Sequence, residues 1–89
     1  MNEDIKSYSK YKAILEEYEA NFDDNPIRIM CHMIDLYEDL CDTFFHDLCD
    51  SIVLWITEKS NEEVLKYIED KHNPHLKNLR DGLLYKLQN

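Results

Sequence analysis

One glycine and two prolines serve 89 residues. So few turn-formers exclude an all-β sandwich or barrel, which needs a turn every few residues. A glycine-rich phosphate loop is excluded outright, because its glycines are missing. Basic residues are scarce too: ten Lys and Arg face nineteen Asp and Glu, for a net charge of −9. A protein that neutralises nucleic-acid phosphates needs the opposite balance, so no direct nucleic-acid binding is expected. Attraction to an anionic membrane surface is disfavoured for the same reason. The most apolar stretch, residues 52–56, is far too short to span a bilayer. No apolar run follows Met1, so the expectation is a cytoplasmic protein without a signal peptide.

No CxxC pair occurs among the three cysteines, Cys31, Cys41 and Cys49. On one continuous helix, Cys31 and Cys41 would lie ~15 Å apart and Cys41 and Cys49 ~12 Å. Both spacings exceed the ~7 Å between Cα atoms that a disulfide tolerates, so free thiols in a reducing compartment are expected.

What the sequence does have is helical periodicity in one small domain spanning 1–89. Tyr8, Tyr11, Leu15, Tyr18 and Phe22 step by 3 and 4, a heptad seam for a helix over about 3–22 capped by Asn2. Residues 21–25 break it, and Asn25-Pro26 reads as an N-cap with proline at the first helical position. From 27 to about 57 there is neither Gly nor Pro, and one face of the helix that Pro26 begins carries Ile27, Met30, Ile34, Tyr37, Cys41, Phe44, Leu48, Ile52 and Trp55. Unbroken, that helix would be ~47 Å long, against a ~12 Å radius of gyration for a compact chain of this size. Either it is interrupted near Asp50-Ser51, or it overhangs and packs on a second copy. Ser60 and Glu63 fit a capping box for a short helix to about 72, and Asn73-Pro74 starts the last one, with Leu76, Leu79, Leu83 and Leu87 inward. The fold class expected is all-α: a small three- to four-helix bundle with one long central helix, with a homodimer as one way of covering that helix.

Charge is distributed unevenly. Residues 13–58 carry twelve acids and only Arg28, a net of −11, whereas the flanks, 1–12 and 59–89, are each +1. On a wheel for one continuous helix, Asp35, Asp39, Asp42 and His46 share a narrow arc, extended by Asp50, with Glu38 and Asp47 at its edges. Like charges on successive turns repel and weaken a helix. One reading is a solvated face. The other is a binding stripe, Asp35, Glu38, Asp39, Asp42 and Asp50 with Asp23 and Asp24 in the adjoining loop, whose spacing along the axis is close to that between phosphates of a nucleic-acid strand. Such a stripe suits a basic surface on a partner that handles nucleic acid, with charge first steering the encounter and then replacing phosphate contacts. In this general property of charge it is similar to acidic nucleic-acid mimics of phages and mobile elements.

The expected function is therefore non-enzymatic: an inhibitor or modulator of a basic partner, as a small viral or mobile-element accessory protein would be. A helical adaptor or dimerisation module using the Tyr8, Tyr11, Leu15 and Tyr18 seam is the first alternative. A metal-binding bundle is the second, because Asp42, His46, Cys49 and Asp50 are ligand types at helical spacing. No cofactor is expected, and no catalytic motif occurs. A small helical domain also leaves little room for a pocket of ~300 Å³ or more.

Overall fold

The computed structural model describes residues 2–59 and 61–88, and side chains from Ile5 onward. Five α-helices pack into a globule of 12.9 Å radius of gyration, with no strand among the described residues. That is one helix more than the sequence suggests.

Helix α1 spans Asn2–Ala20. Its seam turns inward as the spacing requires: Leu15 and Phe22 are buried, and Tyr8, Tyr11 and Tyr18 pack at the core's edge. The cap expected at Asn2 concerns a side chain outside those described. A short 3-10 turn, Phe22–Asp24, leads to α2, Pro26–Leu40. Here the sequence reading holds in detail: the Asn25 side chain accepts the Arg28 amide, and Pro26 is the first helical residue.

The long helix does not exist. After Leu40 the chain turns through residues 41–45, and α3, His46–Lys59, leaves in a new direction. The break lies six to ten residues before Ser51, whose hydroxyl bonds back to the Asp47 carbonyl (3.0 Å) inside α3. Thr43 explains the turn. Its hydroxyl donates to the Leu40 carbonyl (2.7 Å) and accepts the Phe45 amide (3.3 Å), offering the backbone an alternative to the helical ladder. The Phe45 carbonyl then accepts the amides of Leu48 (3.1 Å) and Cys49 (3.2 Å), which starts α3. Packing settles the choice, because only a turn lets the apolar faces of both halves share one core. Phe45 swings under α1, 5.2 Å from the Tyr8 ring and 6.3 Å from that of Tyr11. Phe44, expected on the inner face, is left 90% exposed. With the rod interrupted, its length no longer calls for a second copy.

Helix α4 runs over Glu62–Asp70, and its cap is Asn61, which accepts the amides of Glu63 (2.8 Å) and Val64 (3.3 Å). Ser60, the expected cap, lies outside the described residues. His72 follows α4 with φ at 51°, a left-handed conformation that suits glycine better than a residue with a Cβ. His72→Gly should therefore raise the urea midpoint by the equivalent of about 0.5–1 kcal/mol. An unchanged or lower midpoint would mean that the imidazole makes a compensating contact. A second 3-10 turn, Pro74–Leu76, is capped by Asn73 and continues as α5, Lys77–Gln88. The single glycine has a packing role there: a Cβ on Gly82 would stand 3.2 Å from the Thr57 methyl, so Gly82 lets α5 approach α3 closely.

The core draws on every helix, including Leu15, Met33, Leu40, Ile52, Ile56, Val64, Ile68 and Leu79. No described helix is long and apolar enough to cross a membrane.

Candidate partner-binding surface

The twelve acids of residues 13–58 fall into two groups once folded. Four have partners within the chain. Glu19 accepts the Trp55 indole N–H (2.6 Å), which holds α1 against α3 where Trp55 packs on Phe22, 4.6 Å between rings. Asp47 accepts the Tyr8 hydroxyl, and that bond holds its carboxyl below the usual range and pushes the Tyr8 phenol up.

The other two, Asp35 and Glu38, are one turn apart on α2 and share a cation from beyond α4. Lys71 Nζ lies 2.8 Å from Asp35 Oδ1 and 2.8 Å from Glu38 Oε1. The Tyr67 hydroxyl also donates to Asp35 (2.8 Å), and the Asn73 amide donates to Glu38 Oε2 (2.7 Å). Lys71 sits 4.8 Å from the centre of the Tyr67 ring. The bonds from Lys71 and Asn73 hold Glu38 below the usual carboxylate range, and the two carboxylates push Lys71 far up. Two members of the expected stripe thus clamp α2 to the end of α4.

The remaining eight acids are Glu16 and Glu17 on α1, Asp23 and Asp24 in the 3-10 turn, Asp39 on α2, Asp42 in the following turn, and Asp50 and Glu58 on α3. All are exposed, and none forms an ion pair among the described residues. Asp39 is on the last turn of α2, about 20 Å along its axis from Pro26, whereas Asp23 and Asp24 lie just before its start. The wheel drawn for one helix is corrected accordingly. Asp35 and Asp39 belong to α2, Asp42 to the turn, and His46 and Asp50 to α3, so no single helical face holds them.

Sequence reasoning missed Lys71 as their partner, because it lies 33 residues beyond Glu38 in a segment of opposite charge balance. The i,i+3 spacing of Asp35 and Glu38 was the available signal, and it did not say which lysine would come.

The tyrosine seam is occupied within the chain: Tyr8 and Tyr11 meet Phe45, and Tyr18 stacks on His32 at 5.6 Å. Among the described residues no three His, Cys, Asp or Glu side chains converge as a metal site. Clefts larger than the expected pocket size are present among the described residues. One of ≈560 Å³ lies between α4 and α5, lined by Glu69, His72, Lys77 and Arg80 over Ile68 and Leu76. One of ≈360 Å³ lies where α1 meets α2, lined by Glu17, Asp24, Arg28 and His32 among others. No family model, curated protein or solved structure matches this chain.

Proposed function

We propose that the protein is a non-enzymatic binder of a basic protein surface, one that normally holds nucleic acid, and that it blocks or modulates that partner. One observation carries the reading. Eight exposed carboxylates lie in 13–58 without an ion pair among the described residues, although the flanks hold nine Lys and Arg. A fold under no demand but solubility gains by interleaving opposite charges on its surface. Asp23, Asp24, Asp39, Asp42 and Asp50 are the contact residues in this proposal, with Glu16 and Glu17 beside them. Asp35 and Glu38 act indirectly, by fixing α2. The setting is the cytoplasm, and the reading needs no second copy of the chain.

The test uses a host fraction eluted from a DNA column, with the tagged chain as bait. A retained DNA-binding protein that competing duplex DNA displaces, and that is lost at high salt, is the expected result. Asp39→Lys with Asp42→Lys should weaken capture at least tenfold while the circular dichroism spectrum stays helical. Capture that survives this double reversal, or that DNA does not displace, would overturn the reading.

A further inference from the structure

We propose that Cys41 and Cys49 form a reversible disulfide that closes the turn between α2 and α3. The straight helix inferred from sequence sets these residues far apart, and the turn at 41–45 brings them together. The Cys49 sulfur lies 4.0 Å from the Leu40 carbonyl oxygen. In a planar trans peptide that oxygen is about 3 Å from the Cα of Cys41. The Cys49 sulfur is therefore within about 7 Å of the Cys41 Cα, and one χ1 step moves a sulfur by about 3 Å. The Cys41 thiol now donates to the Tyr37 carbonyl (3.2 Å), a weak bond that such a step gives up. Both thiols are half-buried, and both add to the burial that pushes the Tyr37 phenol up.

Cys31 provides an internal control. It lies on α2 ten residues before Cys41, about 15 Å along the axis, and the Cys49 sulfur sits at the Leu40 end of that helix, so Cys31 is too far to join either thiol.

Burial pushes the Cys49 thiol up, with Cys41, Asp50 and Asp47 adding to it. Burial, Asp42 and Glu38 push Cys41 up as well. Thiolate is scarce at rest, so the reduced pair persists until an oxidant arrives. The oxidant is a peroxide. One thiolate attacks a peroxide oxygen, the O–O bond breaks, and a sulfenic acid and hydroxide result. The second thiolate attacks the sulfenic sulfur, the S–S bond forms and the S–O bond breaks. With hydrogen peroxide, two thiols become one disulfide and the peroxide becomes two water molecules. The closed loop contains Asp42 and Asp47, so the staple would restrain the turn whether or not this surface binds a basic partner.

The experiment treats the purified full-length chain with hydrogen peroxide and maps its peptides without reductant. Cleavage after Phe44 separates the two cysteines, so only a disulfide keeps the fragments joined. The expected result is a monomer lighter by two hydrogens, with Cys41 linked to Cys49, Cys31 still open to alkylation, and full reversal by dithiothreitol. Cys31→Ser should behave identically, and Cys49→Ser should give no linked fragment. Sulfinic acid at Cys41 or Cys49 without a link, or a link through Cys31 between chains, would overturn the proposal.

Discussion

Leu40→Ala is expected to lower stability by about 2–5 kcal/mol, the range for truncating a fully enclosed leucine. In a domain of this size, that moves the thermal midpoint down by about 10–25 °C. Leu40 is 0% exposed and is the last residue of α2. Its carbonyl receives both the Thr43 amide (3.0 Å) and the Thr43 hydroxyl (2.7 Å), and these bonds do not depend on the side chain. Truncation therefore opens a cavity beneath an intact turn. Leu54→Ala is the matched control: the same atoms are removed from a side chain in a residue that is 62% exposed, and the change should stay within about 0.5 kcal/mol. Thermal and urea unfolding of the two variants side by side decide the matter. Equal losses would mean that Leu54 is covered in solution, and a second copy of the chain would then be the first candidate to cover it.

The second large effect concerns Lys71. Lys71→Met keeps most of the apolar stem but removes the charge between Asp35 and Glu38. Two carboxylates at i,i+3 then face each other without a cation, and about 1–3 kcal/mol should be lost at neutral pH. Most of that loss belongs to Glu38, whose side chain is 26% exposed, because water screens Asp35 at 49%.

The pH dependence fixes the sign. Glu38 is depressed in the folded state, so its contribution is complete above the unfolded value of about 4.3 and is lost as pH falls through the folded one. Lys71 is raised, so its contribution is complete below about pH 10.4 and is lost only as pH rises through the higher folded value. The gap between wild type and variant should hold from about pH 5 to pH 10 and close as pH falls below the unfolded carboxylate value of about 4.3 and through the lower folded one. Urea midpoints across that range measure it. A gap that persists undiminished in acid would assign the loss to packing of the lysine stem, not to its charge.

The helix positions at Asn25-Pro26 and Asn73-Pro74 were legible in the sequence because capping and proline geometry are local. The inward seam of α1 and the set Leu76, Leu79 and Leu83 were legible because helical period alone selects a face. The charge imbalance is a property of composition and needed no structure at all. Residues 41–45 were different. They hold no glycine or proline, and a straight wheel fits them as well as a turn does, so local signals left the choice open. Tertiary structure made it: burying both apolar halves in one core outweighs the few helical hydrogen bonds given up at Thr43.

That one turn moved Phe44 into solvent, split the acidic stripe between two helices and brought Cys41 beside Cys49. The fates of the acids were likewise a tertiary matter. Whether Asp35 keeps its charge for a partner or shares it with Lys71 depends on where the end of α4 lands, and a contact 36 residues away in sequence leaves no periodic trace. The sequence by itself determined an all-helical chain with its negative charge concentrated in residues 13–58. The packing of that chain alone decided which of those charges remain outside any internal pair.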